Sequence, residues 1–173
     1  MPSPEGSSVR FRRVPASLRR AGIERFARTL KKDVAKGRAF DILITGDAEL
    51  RRLNRVFRGQ DYATDVLSFP TAGQGKACPT NARAGHALAC PRPLAGAPAP
   101  FLGDVAISLG RARAQSREFG HRIEQEVQIL MLHGVLHLCG HDHESDSGAM
   151  ARAEKRWRTK LGLPNGLIER VRK

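Results

Sequence analysis

Apolar residues alternate or cluster in four short stretches of the chain and recur at helical spacing in five longer ones. Branched and aromatic residues fill the short stretches, which predict strands at 8–14, 40–45, 64–69 and 102–108. The longer stretches predict helices at 15–36, 47–57, 109–119, 121–139 and 145–161. No internal repeat is visible, and 173 residues suit a single domain.

The strongest helical pattern lies between His121 and Cys139. Its apolar positions predict one buried stripe, formed by Ile123, Val127, Leu130, Met131, Val135 and Leu138. Gly140 can adopt the left-handed conformation that commonly ends a helix. The pattern therefore predicts a helix with one apolar stripe that ends at Gly140.

Charge is the main contribution of composition to this picture. The chain has 30 Lys+Arg against 17 Asp+Glu, a formal net charge of +13, and 23 of the basic residues are arginine. Because a guanidinium binds phosphate through two parallel hydrogen bonds, this charge favours a polyanionic partner, most often nucleic acid. A solvated, arginine-rich surface is the alternative interpretation.

Residues 71–100 differ in composition from the rest of the chain. They include five of the ten prolines and no acidic residue. Connections longer than about 12–15 residues are uncommon in compact domains and are usually disordered or functional. We therefore expect a flexible basic insertion within a single domain spanning 1–173, with an RNA-contacting arm as the alternative.

Three classes of protein are disfavoured by the pattern. The longest nearly apolar run, 129–138, is interrupted by two histidines and is shorter than the ~20 residues of a membrane-spanning helix. The first 20 residues contain no apolar segment typical of a secretory signal. Three cysteines do not form a disulfide framework. We expect a soluble cytoplasmic protein that does not bind membranes.

Four of the six histidines lie between positions 133 and 143. His133 and His137 are four residues apart, so both imidazoles project from one face of a helix. After a turn at Gly140, a residue such as His143 can reach the same point in space. Three imidazoles with an open fourth position are typical of catalytic zinc. The alternative is a surface cluster, or core histidines that satisfy one another, but two unpaired imidazoles in so apolar a helix would be costly to bury.

Gly134 distinguishes this pattern from the metalloprotease motif H-E-x-x-H, in which a glutamate beside the first histidine is the general base. A phosphodiester substrate needs stabilisation of developing negative charge instead, and a metal ion and an arginine can both provide it.

Three blocks of the sequence resemble the YbeY family of bacterial rRNA maturation factors, described as single-strand-specific metallo-endoribonucleases. The blocks are Leu53-Asn54, Phe57-Arg58, Asp61 and 64–70 (TDVLSFP), then 102–108 (LGDVAIS), then 133–143 (HGVLHLCGHDH). The resemblance implies an α+β fold in one domain, with a four-stranded mixed sheet, about five helices and a metal site at one end of a cleft. The four predicted strands agree with it.

At the matching positions, the resemblance implies one Zn²⁺ per chain, ligated by His133, His137 and His143. It also implies a catalytic role for Arg58, which would point into the cleft, and for the ligand His133. His141 stands where the family commonly has tyrosine. We expect it outside the ligand set, because the spacing H-x₃-H-x₅-H favours His143.

The resulting hypothesis is a zinc-dependent endoribonuclease that acts in 16S rRNA 3′-end maturation and ribosome quality control. Its implied partners are single-stranded RNA, ribosomal RNA and the small ribosomal subunit, with a small-subunit ribosomal protein and a ribosome-assembly GTPase as further candidates. One alternative is a non-catalytic ribosome-assembly factor with a structural zinc. Another is a hydrolase of peptides or small molecules, which Gly134 and the charge of +13 disfavour.

Three further residues have both a structural and a functional interpretation. Asp65 and Asp104 either cap or brace a strand–helix junction or orient a metal-ligating histidine. Cys139 is either a small core residue at a helix end or, as a thiolate, a metal ligand.

Overall fold

The computed structural model describes residues 7–71, 101–141 and 148–164. Its four strands are β1 (Ser8–Phe11), β2 (Asp41–Thr45), β3 (Val66–Pro70) and β4 (Gly103–Ser108). They form one sheet in the order β1-β2-β4-β3, in which β1, β2 and β4 run parallel and β3 is antiparallel to β4. The expected four-stranded mixed sheet is therefore confirmed.

The described residues form five α-helices. These are α1 (Arg20–Thr29), α2 (Asp47–Arg58), α3 (Leu109–Glu118), α4 (Ile123–Leu138) and α5 (Ala149–Leu161), with a π-helical turn, Leu30–Val34, continuing α1. Helices α2, α3 and α4 begin and end within two residues of their predicted positions. Helix α5 ends at the predicted residue, and its predicted first residues lie outside the described residues. None of the helices in the described ranges is long and apolar enough to cross a bilayer.

The segment between β1 and α1 differs from the prediction. The strand predicted at 8–14 ends at Phe11, and the helix predicted from Pro15 begins at Arg20. Arg13 has a φ of 56°, which takes the chain out of the extended conformation. Pro15 then accepts a hydrogen bond from the backbone of Leu18 at 3.3 Å, so it belongs to a turn rather than to a first helical turn.

Helix α4 is the centre of the core. The predicted stripe is buried except for Ile123, which is partly exposed, and residues outside it are buried as well: Ile129, Leu132 and Leu136 are each 1% exposed. The cause is packing on all sides, since α4 contacts β3 and β4 as well as α1, α3 and α5. A helix enclosed in this way holds its side chains in fixed positions.

The two ends of the predicted insertion lie side by side. Pro70 is opposite Gly103 in the antiparallel pair. The Thr71 backbone N–H donates to the Leu102 carbonyl at 3.0 Å, and its hydroxyl donates to the Phe101 carbonyl at 2.7 Å. Residues 72–100 lie outside the described residues, so the expectation of a flexible insertion stays a prediction.

Because those ends are adjacent, we expect that residues 73–99 can be replaced by a short Gly/Ser linker. Loop-closure entropy changes slowly with length, so a shorter connection costs little. The variant should keep cooperative thermal unfolding and its metal content. Loss of a cooperative transition would show that the deleted segment packs on the domain.

Asp104 gives the sheet a pH dependence. It pairs in register with Asp41 on the neighbouring strand. Burial, and next the Asp41 carboxylate, raise the pKa of Asp104 above its usual value, while Arg10 acts in the opposite direction. The structure therefore places Asp104 next to another carboxylate in the sheet, and neither role considered from the sequence includes such a neighbour.

We predict that Asp104→Asn is more stable than the wild type at pH 7. A raised pKa means that the folded state binds the proton more tightly than the unfolded chain. The side chain therefore favours folding below its usual pKa, and this contribution is lost as pH rises through the folded-state value. Melting temperatures should differ at pH 7 and converge near pH 3; an equal difference at both pH values would contradict the assignment.

Candidate metal centre

His133 and His137 lie next to each other on α4. Their ring centroids are 4.8 Å apart, and the ring planes meet at 73°. His133 is buried, whereas His137 is partly exposed. The predicted pair of imidazoles on one helix face is therefore present, with one ring anchored in the core and the other nearer the surface.

Glu154 on α5 fixes the orientation of the buried ring. The His133 Nδ1 lies 2.8 Å from the Glu154 Oε2, and both side chains are almost fully enclosed. Because this contact occupies Nδ1, Nε2 is the ring nitrogen left for a metal. Metal-ligating histidines commonly donate one ring N–H to a carboxylate in this way.

Glu154 was missed in the sequence analysis, although a signal was present. It is the single acidic residue of α5 and follows Met150 by four positions, which places it on the apolar side of that helix. Met150 and Ala153 are buried beside it. A lone carboxylate on the buried side of a basic helix indicates a buried cationic or hydrogen-bonding partner.

Helix α4 ends at Gly140 as predicted. Gly140 has a φ of 92°, its N–H donates to the His137 carbonyl at 3.0 Å, and the His141 N–H donates to the Leu136 carbonyl at 3.1 Å. This hydrogen-bond pattern is the Schellman motif. His143 lies outside the described residues, so its role stays a prediction. Within the described ranges, no group of three His, Cys, Asp or Glu side chains is placed to hold a metal ion.

The donor set nevertheless fits a zinc ion. Two neighbouring imidazoles, one of them oriented by a carboxylate, supply two of the three nitrogen ligands typical of a catalytic site. The predicted third ligand follows the turn at Gly140.

Gly134 is enclosed between α4 and the sheet. A Cβ at this position would lie 2.6 Å from Cγ1 of Val105 and 3.3 Å from Oγ of Ser68. The Ser68 hydroxyl donates to the Gly134 carbonyl at 3.2 Å, which holds the two elements together. Residue 134 therefore has no room for the glutamate of the metalloprotease motif, and it faces the sheet.

We predict that Gly134→Ala destabilises the protein by about 1–3 kcal/mol, the usual cost of overpacking a core. Val105 is 1% exposed and has no space to move away. Gly22→Ala on α1 is the matched control, because nothing lies within 4 Å of its Cβ position. The control should gain about 0.5–1 kcal/mol. Denaturant unfolding measures both, and a neutral Gly134→Ala would contradict the close approach.

Arg58 is exposed at the end of α2, as predicted. Gly59 ends this helix with a φ of 67°. Leu53 is buried, and Phe57 packs edge-on against Phe69 at a centroid distance of 4.9 Å. In the part of the chain that the structure describes, Arg58 makes no hydrogen bond or ion pair.

The turn after α2 is held by other residues. The Arg51 guanidinium donates two hydrogen bonds to Asp61, at 2.9 and 2.8 Å, and lowers the pKa of that carboxyl. The Asn54 side chain donates to the Tyr62 carbonyl at 3.0 Å. Because this turn does not depend on Arg58, that guanidinium is available to a ligand.

The helices that carry Arg58 and the histidine pair lie on opposite faces of the sheet. Helix α2 packs on one face of β3 and β4, and α4 packs on the other. The described contacts bring His133, His137 and Glu154 together and do not join Arg58 to them. Strand β3, against which both helices pack, is an edge strand of the sheet.

Asp65 and Cys139 have structural contacts. The Asp65 carboxylate accepts hydrogen bonds from the Val66 backbone at 2.9 Å and from the Gln115 side chain at 3.2 Å, so it braces the start of β3. Cys139 packs against the core beside Arg38, and burial raises the pKa of its thiol.

The family model for Endoribonuclease YbeY matches residues 13–162 of this chain. The chain belongs to the YbeY family. A relative from Solibacter usitatus (strain Ellin6076), named Endoribonuclease YbeY, is 66% identical over 171 residues, which is 99% of each chain. A protein of the same name from Koribacter versatilis (strain Ellin345) is 45% identical over 132 residues, or 76% of this chain and 70% of the relative.

A solved structure supports the fold of this YbeY-family chain. The solution structure of a Thermotoga maritima protein matches it with a TM-score of 0.53 and 23% identity, covering 88% of this chain and 93% of the other. At this identity the likeness shows the fold alone. It agrees with the α+β architecture that the resemblance implied.

Proposed function

We propose that this YbeY-family protein is a metal-dependent endoribonuclease that hydrolyses single-stranded RNA, with one zinc ion held by His133, His137 and His143. The observation that carries the proposal is the pair of neighbouring imidazoles on α4, one of which is hydrogen-bonded to a buried glutamate at 2.8 Å. The names of the relatives point to the same activity.

Zinc at this position would supply Lewis acidity to a phosphate oxygen or activate a nucleophile. The residues of the chain have separate tasks. His133 and His137 provide nitrogen ligands on a buried helix that restricts their motion, and Glu154 orients the first of them. The side chain at 134 contributes nothing to proton transfer, since it is a glycine enclosed against Val105.

Arg58 is proposed to bind the scissile phosphate. Its guanidinium is exposed beside the turn that leads to the edge strand β3 and has no described ion-pair partner. A guanidinium there would bind two phosphate oxygens and stabilise their charge in the transition state.

The net charge of +13 suits RNA as the substrate. We propose ribosomal RNA on the small subunit, at the 3′ end of 16S rRNA, as the biological target, and this places the protein in the cytoplasm. A small-subunit ribosomal protein and a ribosome-assembly GTPase are its further candidate partners. A ribosome-assembly factor with a structural zinc is the second candidate function, because the basic surface fits binding as well as catalysis.

The two functions differ in how RNA cleavage responds to metal and to strandedness. A labelled single-stranded RNA and its duplex are incubated with purified protein before chelation, after chelation and after readdition of zinc. We expect cleavage of the single strand only, loss on chelation and recovery with zinc. Binding without cleavage by the zinc-containing protein would favour the assembly factor.

A further inference from the structure

In the described residues, two buried histidine–glutamate pairs include a residue of helix α4. His121 and Glu126 are five residues apart and 2.5 Å from each other, which makes them a local contact at the beginning of the helix. His133 and Glu154 are 21 residues apart and join α4 to α5. Only the second pair includes a proposed metal ligand.

The Glu154 carboxylate is almost completely buried. Its side chain is 2% exposed, and the flanking residues Met150 and Ala153 are also buried. An ionised group in such a setting is costly unless it is hydrogen-bonded. Its Oε2 lies 2.8 Å from the Nδ1 of His133, so Nδ1 is the nitrogen of that ring which contacts the glutamate.

We propose that Glu154 is a positioning residue, which holds His133 as the Nδ1–H tautomer and thereby presents the Nε2 lone pair to the metal. This inference rests on the proposed zinc site. The carboxylate also raises the basicity of the imidazole, which makes it a stronger metal ligand. Loss of such a partner typically lowers metal affinity by about 10- to 100-fold.

Three variants separate this role from general stability. Glu154→Gln keeps a hydrogen-bond acceptor and removes the charge, whereas Glu154→Leu removes both at similar volume. Glu126→Gln is the matched control, because it alters the other buried histidine–glutamate pair and leaves the proposed ligands unchanged. Melting temperatures of the metal-free proteins show which variants fold.

The first readout needs no metal. Nitrogen-15 NMR of the imidazoles in the metal-free protein at pH 8 reports which nitrogen of His133 is protonated. We expect Nδ1–H in the wild type, in Glu126→Gln and in Glu154→Gln, and a shift towards Nε2–H in Glu154→Leu. A wild-type His133 protonated at Nε2 would overturn the proposal.

The second readout is metal affinity, by competition with a zinc chelator, together with the visible spectrum of the Co²⁺-substituted protein. We expect affinity to fall about 10-fold in Glu154→Gln and about 100-fold in Glu154→Leu, with a changed Co²⁺ spectrum and no change in Glu126→Gln. Wild-type affinity in both Glu154 variants, or an equal fall in Glu126→Gln, would overturn the proposal. A wild type that binds no zinc would overturn the proposed function instead, and the tautomer measurement would still decide whether Glu154 positions His133.

Discussion

Replacing His133, His137 or His143 by alanine is expected to abolish the stoichiometric zinc of the purified protein. Two of these imidazoles already lie 4.8 Å apart on one helix face, and the turn at Gly140 allows the third to return towards them. Two remaining ligands do not form a tetrahedral site of useful affinity. Elemental analysis after dialysis measures the zinc per chain.

His141→Ala is the matched control for these variants. His141 follows the turn directly, and its backbone N–H closes the helix on the Leu136 carbonyl, which the substitution leaves intact. It should therefore keep most of the zinc. Full zinc in His143→Ala together with none in His141→Ala would reverse the ligand assignment.

Arg58→Ala is expected to slow cleavage of a short single-stranded RNA by about 100-fold, or about 2.7 kcal/mol of transition-state stabilisation. The guanidinium is exposed, and no contact in the described residues depends on it. Zinc content and melting temperature should therefore hardly change. Single-turnover rates measure the effect on the chemical step.

Two further variants test the reason for this effect. Arg58→Lys should recover only part of the rate, because an ammonium keeps the charge and loses the bidentate geometry. Arg55→Ala is the control on the same helix: Arg55 is also exposed but lies 4.0 Å from Asp61. It should cleave at the wild-type rate. A wild-type rate in Arg58→Ala would remove the phosphate-binding role and leave the metal alone to carry the chemistry.

The elements of the fold follow from local pattern, and the exceptions have physical causes. Branched and aromatic stretches identified all four strands, because strand propensity and burial agree there. The stripe predicted for α4 covers only part of the buried surface of that helix, because periodicity describes one face. Ile129, Leu132 and Leu136 are buried by neighbouring helices that a local pattern does not contain.

At the candidate site, too, the local pattern predicted neighbours on one helix but no contact between different elements. The spacing of His133 and His137 sufficed to place them together, because a helix fixes side chains four residues apart. The contact with Glu154 joins residues 21 positions apart on different helices, so it depends on how α5 packs. The packing of α2 and α4 on opposite faces of the sheet likewise depends on strand order, which the sequence pattern does not provide.

The most direct test pairs zinc content with cleavage of single-stranded RNA in the same preparations of the wild type and His137→Ala. Both must melt cooperatively, so that a difference does not reflect unfolding. We predict one zinc per chain and cleavage in the wild type, with neither in His137→Ala. A wild type that contains one zinc per chain and cleaves no faster than His137→Ala would contradict the proposed function.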